Sequence, residues 1–125
     1  MTKLTRILPL LCIAAASAMS AQAQELKIGF LAPRTGIITQ LGTDMVNGFQ
    51  MYLDEHNGML GGAKVTFIIE DDKGTVDGDV SMAKKLILQD KVDMLVGAVL
   101  GSAAYALAPI SNEGKTLFIG TITTG

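Results

Sequence analysis

Short β-branched, apolar runs alternate with stretches of helical periodicity, and this alternation limits the folds open to the chain. Leu26–Leu31, Val65–Ile69, Val92–Ala98 and Thr116–Gly120 read as strands. After the first strand, a helix capped by Thr43 is expected to run to about Asn57, with Met45, Phe49, Tyr52 and Leu53 on one face. Asn57-Gly58 should close it, because both residues tolerate the left-handed conformation of a helix end. Gly61-Gly62 then turns the chain. A second helix is expected from about Val76 to Asp90, with Val80, Ala83, Leu86 and Ile87 inward and Lys84 and Lys85 outward. A third starts at Ser102 and runs toward Ile110, where Pro109 ends or bends it, and Asn112-Glu113-Gly114 forms a turn.

Strands joined by helices lie parallel, with right-handed crossovers. Near-continuous apolar strands suit a sheet covered on both faces. The expected fold class is therefore α/β, a doubly wound parallel sheet with flavodoxin-like order. The second strand lies outside the first, and the third lies on the first strand's other side. The switch point then falls between Leu26–Leu31 and Val92–Ala98, and the loops Pro33–Gly42 and Gly97–Ser102 open into one crevice. Small molecules bind in such crevices.

Each loop offers candidate contacts. Gly97 and Gly101 let the backbone approach a ligand. Ser102, at a helix N-terminus, either contacts an anion with its free N–H groups or only caps its helix. Pro33–Gly42 is long for a strand-to-helix connection, and long loops are often functional. Thr35 or Thr39 can donate a hydrogen bond there, Leu41 can line a pocket, and Arg34 either pairs with a carboxylate or is solvated. Hydroxyls in Thr121–Gly125 follow the fourth strand and would face the same crevice.

The N-terminus sets a compartment. Lys3 and Arg6 precede an apolar stretch from Ile7 to Met19, and Ala21-Gln22-Ala23 supplies small residues for a signal peptidase. Residues 1–23 read as a signal peptide cleaved after Ala23. The apolar stretch is short of the roughly 20 residues needed to span a bilayer. The exported part is expected to be soluble and periplasmic. Cys12 is the only cysteine and lies in this segment. Pro9-Leu10-Leu11 before it argues against lipidation. The mature chain then has no disulfide, and packing alone must hold it. Of 10 basic and 12 acidic residues, two basic ones leave with the signal, so the mature formal charge is −4. An acidic surface with 5% aromatic residues and no Trp argues against nucleic acid or anionic lipid as partner.

Other motifs carry little chemistry. Glu70-Asp71-Asp72 cannot direct three side chains at one ion from an extended strand, and it reads as a wet strand end. Gly114-Lys115-Thr116 lacks the first glycine of a phosphate loop, since Pro109 stands there, and it enters a strand rather than leaving one. His56 sits near a helix end, far in sequence from any nucleophile, so a Ser-His-Asp apparatus has little support. Met45, Met51, Met82 and Met94 read as core filler. No cofactor and no metal are expected.

Ile28-Gly29-Phe30-Leu31-Ala32-Pro33, Thr35-Gly36 and Leu41-Gly42 resemble the opening of type I periplasmic binding proteins. More narrowly, they resemble the branched-chain amino acid (Leu/Ile/Val) receptors of ABC importers. Gly48-Phe49-Gln50-Met51, Asn57-Gly58-Met59-Leu60-Gly61-Gly62, Glu70-Asp71-Asp72, Ala83-Lys84-Lys85-Leu86-Ile87, Val92-Asp93-Met94-Leu95-Val96-Gly97 and Ser102 continue the resemblance through the mature segment. It implies a two-lobed receptor that closes on its ligand like a hinged clamp and hands it to a membrane permease, without catalysis. It implies that Ser102 holds the ligand carboxylate together with backbone and hydroxyl groups at Ile122, Thr123 and Thr124. Thr35 and Leu41 would line the side chain. Leu41 stands where the family often has an aromatic residue, and Ile37 where it usually has proline.

Residues 24–125 are thus expected to be a partial N-terminal lobe. Half a clamp should bind weakly or not at all, and its uncovered sheet edges should lower its stability. The expected function is the substrate-binding component of an ABC importer, capturing an amino acid or similar small carboxylate, and monomeric when complete. The alternatives are a ligand-sensing receptor of the same fold and a secreted α/β hydrolase.

Overall fold

The computed structural model describes residues 24–122. The expected signal peptide, and with it Cys12, lies outside the described residues, as do Thr123 and Thr124. The chain runs β1 (Glu25–Ala32), α1 (Thr39–Glu55), β2 (Met59–Leu60), β3 (Ala63–Asp71), α2 (Val76–Lys85), β4 (Met94–Gly97), α3 (Gly101–Glu113) and β5 (Leu117–Gly120). The sheet order is β2-β3-β1-β4-β5. β1 pairs in parallel with β3 and with β4, and β4 with β5. The parallel part has the expected doubly wound order. β2 is an unexpected element: Met59 and Leu60 fold back antiparallel on Lys64 and Ala63, through Gly61 and Gly62, both at positive φ. β3 is longer than expected, because Glu70 and Asp71 continue the ladder beside Leu31 and Ala32.

Alternation along β1 divides the core into two layers. Ile28, Phe30 and Ala32 pack with Val46 of α1 and Val96 of β4. On that side Phe30, Phe49 and Phe67 form a ring cluster, with centroids 4.7–5.6 Å apart, each such pair worth about 1 kcal/mol beyond its buried area. Leu31 faces the other way and packs with Ala83, Leu86, Leu95, Ala103 and Leu107, between the sheet and α2 and α3. Met45 and Met94 pack against the first layer and Met82 against the second. Met51 is 60% exposed and is not core filler.

The starts of α1 and α3 differ from the sequence reading, and that of α2 agrees with it. α1 begins one turn before Thr43, with Ile38 as its N-cap. The Thr43 hydroxyl donates instead to the Thr39 carbonyl at 3.0 Å, the usual resort of a threonine inside a helix. The helix end is as expected: Asn57 and Gly58 have positive φ, and the Gly58 N–H reaches back to the Leu53 carbonyl at 2.7 Å. α2 opens on Thr75, whose hydroxyl accepts from the Gly78 N–H at 3.1 Å. Its last turn widens into a π-helical segment, Leu86–Asp90.

α3 starts on Leu100, not on Ser102. Pro109 neither ends nor stops it, and the helix runs on to Glu113. Pro109 removes the donor for the Tyr105 carbonyl, but both residues are exposed, so water can serve that oxygen. The expected turn at Asn112-Glu113-Gly114 moves to Gly114–Lys115, and the Ser111 hydroxyl donates to the Thr116 carbonyl across it. Among the described residues, no helix is long and apolar enough to cross a membrane.

Candidate functional site

The parallel ladders bring three strand ends together. Leu31 lies beside Gly97, and Gly97 beside Gly120. The segments leaving β1, β4 and β5 therefore emerge at the carboxyl end of the sheet, with the switch point between β1 and β4. Thr35 and Ser102 share this end. The Thr121 N–H donates to the Gly97 carbonyl at 3.1 Å, which ties the β5 exit to the β4 exit and sets Ile122 beside them.

The turn after β4 is tightly specified. Gly97 has φ +124, and a Cβ there would overlap the Leu31 carbonyl oxygen. The glycine is thus needed for the close approach of two strands. Ala98 follows at φ 63, fully buried, in a region that costs a non-glycine residue about 1 kcal/mol or more. This turn aims α3 at the crevice. Leu100 gives the helix no side-chain cap, and among the described residues the backbone N–H groups of Gly101 and Ser102 find no backbone acceptor. Ser102 is the second residue of the helix and exposed, and its hydroxyl bonds to no other described residue. An uncapped, solvent-facing helix start with a hydroxyl beside it is a ready anion site.

The first loop spans residues 33–38, because α1 starts at Thr39. It is of ordinary length for a strand-to-helix connection, contrary to the sequence reading. Asp71, at the end of β3, organises it. One carboxylate oxygen accepts from the N–H groups of Arg34 at 2.8 Å, Lys73 at 2.9 Å and Thr35 at 3.3 Å. The other accepts from the Thr35 hydroxyl at 2.7 Å. Burial pushes the Asp71 carboxyl up, but these donors outweigh it and hold the group below the usual carboxylate range. Thr35 thus spends its proton on Asp71 and can only accept from a ligand. Thr39 donates to the Gly36 carbonyl at 2.6 Å. Leu41 sits in the first turn of α1, 37% exposed. Arg34 is exposed.

Sequence reasoning missed Asp71 and its neighbour. Asp72 is 1% exposed and is not a wet strand end. Asp72 Oδ1 accepts from the Gly74 N–H at 2.7 Å, and Asp79 of α2, equally buried, lies against it. The Asp-x-Gly spacing at 72–74 was an available signal for such a turn. Among the described residues, no group of three or more His, Cys, Asp or Glu is placed to hold a metal ion. His56 stacks on Tyr52, with ring centroids 4.0 Å apart, and its Nδ1 lies 2.8 Å from the Tyr52 carbonyl.

An open groove of about 360 Å³ lies between α1 and the sheet, lined by Phe30, Asp44, Met45, Phe49, Val96 and Thr121 among others. Its walls are mostly apolar, and its one charge, Asp44, repels an anion. The α3 N-terminus is the better carboxylate site on electrostatic grounds.

A family model described as periplasmic binding protein matches residues 25–125. A Leu/Ile/Val-binding protein of Rhizobium johnstonii is 31% identical over 102 residues, covering 80% of this chain and 28% of the relative. A solute-binding protein of an ABC transporter from Rhodopseudomonas palustris, solved with 3,4-dihydroxybenzoic acid, is 30% identical with a TM-score of 0.74. That match covers 78% of this chain and 27% of the other. A branched-chain amino acid transporter substrate-binding protein from Streptococcus pneumoniae, solved with isoleucine, is 26% identical with a TM-score of 0.74, over 82% of this chain and 30% of the other. The chain thus spans less than a third of the length of each.

Proposed function

The chain belongs to the periplasmic binding protein family, and we propose that it forms the N-terminal lobe portion, residues 24–125, of the substrate-binding component of an ABC importer. Residues 1–23 act as the export signal, cleaved after Ala23. The exported protein captures an amino acid or similar small carboxylate in the periplasm and passes it to a membrane permease, without chemical turnover.

The uncapped N-terminus of α3 carries this reading. It opens at the switch point, on the same sheet end as the first loop. In our reading the ligand carboxylate accepts from the Gly101 and Ser102 N–H groups and from the Ser102 hydroxyl. The family resemblance assigns Ile122, Thr123 and Thr124, which follow β5 in the chain, to the same carboxylate. Thr35 accepts from the ligand's donor groups, and Leu41 contacts its side chain. Isoleucine and 3,4-dihydroxybenzoic acid, the ligands solved with two relatives, share only the carboxylate end, which is the end this site is built to hold.

The test is a thermal-shift screen of the full-length protein against branched-chain amino acids and hydroxybenzoates, followed by calorimetry on the best hit. A true ligand raises Tm in proportion to the logarithm of concentration over Kd. Ser102→Ala should weaken binding about 10- to 100-fold, the worth of one hydrogen bond to a charged group, while Tm without ligand stays within about 2 °C. An unchanged Kd removes Ser102 from the site, and consumption of the hit would favour the hydrolase.

A further inference from the structure

We propose that Asp72 and Asp79 hold one proton between them and act as a pH-sensitive latch that joins the end of β3 to α2 beneath the first loop. Each residue is 1% exposed. Asp72 Oδ1 is served by the Gly74 N–H, but Asp72 Oδ2 and Asp79 Oδ1 are buried without a donor. The two side chains face each other in the same buried place. Ionised carboxylates carry only acceptors, so one proton held by the pair is what would give these two oxygens a donor. Two like charges in one buried place do not both ionise without large cost.

Among the described residues, the surroundings supply no compensating cation. α2 packs against β1, β3 and α3. β1 carries its charges, Glu25 and Lys27, at the opposite end, and α3 carries only Glu113, at its C-terminus. On β3, Lys64 is at the far end, Glu70 is bonded to Lys85 at 2.6 Å, and Asp71 adds a further negative charge. Arg34, Lys73 and Asp77 are exposed, as is Lys84 on α2. Lys85 also bonds Asp90 at 3.0 Å and is thereby engaged. Burial is the first cause pushing both carboxyls up, and Asp79, next to the Asp72 charge, is pushed to about 7.

The latch sits where movement would matter. A Cβ on Gly78 would overlap the Asp72 carbonyl, so α2 rests directly on the strand end. Gly74 packs against Ile38 and Pro33 of the first loop. Losing the shared proton would push α2 from β3 and loosen the floor of that loop. Because the native carboxyls bind their proton more tightly than unfolded ones, the stabilisation is full below the ordinary carboxylate range. It is lost as pH rises through about 7.

Thermal unfolding of the full chain at about pH 6 and about pH 8 tests this: wild-type Tm should fall by about 5 °C over the interval. Asp79→Asn places an amide donor against Asp72 at every pH, so its Tm should stay level. Equal slopes for both proteins overturn the latch. Carboxyl ¹³C titration of the wild type needs no variant to fold: a midpoint near neutrality for the pair is expected, and both groups titrating as ordinary exposed carboxylates overturns it. Neither readout involves a ligand, so its failure is separate from failure of the carboxylate-receptor reading.

Discussion

At the scale of single residues, the candidate site depends on an acid that acts through the first loop. Asp71 gathers three backbone N–H groups and the Thr35 hydroxyl, and so fixes the path of the loop that faces α3. Asp71→Ala should cost about 1–2 kcal/mol and speed amide exchange at Arg34 and Thr35, while Ile28 and Phe30 keep their protection. Unchanged exchange at Thr35 would show that the loop holds its shape without Asp71. Ser102 was legible as near the start of the right helix, but it was expected as the cap and stands instead as the second helical residue. The chain enters α3 through the left-handed Ala98 and the extended Leu100, so the helix begins before the serine. Only the path of the backbone decides which residue stands outside the first turn.

At the scale of elements, periodicity placed every major strand and helix, and the departures lie at their ends. α1 could start at Thr39 or at Thr43, since both are competent caps, and local propensity does not separate them. Packing does: a Cβ on Gly42 would overlap the Pro33 carbonyl, so a bare glycine in the first turn lets the helix lie directly on the strand exit. Gly48, in the middle of the same helix, meets nothing among the described residues within 4 Å of where a Cβ would stand, its own helix backbone aside. Gly48→Ala should therefore stabilise the protein by about 0.5–1 kcal/mol by restricting the unfolded chain. Chemical unfolding measures this, and a loss of stability would mean that the α1 face needs the open space. β2 was missed because two residues carry no period.

For the molecule as a whole, two opposed titrations shape stability. Asp71, held below the usual carboxylate range, adds stability above the ordinary value that is lost in acid as pH falls through its lowered native value. The Asp72–Asp79 pair adds stability that is lost as pH rises through neutrality. Stability should then peak in mildly acid solution. The sheet also has an open side. β5 pairs only with β4 among the described residues, and it exposes Leu117 at 58% and Ile119 at 44%. An uncharged, apolar edge is a template for pairing between copies. The isolated chain should associate as its concentration rises, and Ile119→Lys should shift it toward the monomer in sedimentation velocity. Equal association of the two would clear this edge.

The sequence by itself determined the layered α/β architecture, the strand order and the crevice between β1 and β4. Those follow from hydrophobic period and crossover handedness, which are local and topological rules. Only the tertiary structure decided that Asp71 grips the first loop, that Asp72 and Asp79 meet in the interior, and that α3 begins at Gly101 with no side-chain cap. Those facts rest on contacts between residues far apart in the chain or on backbone angles at one turn, and no local pattern encodes either.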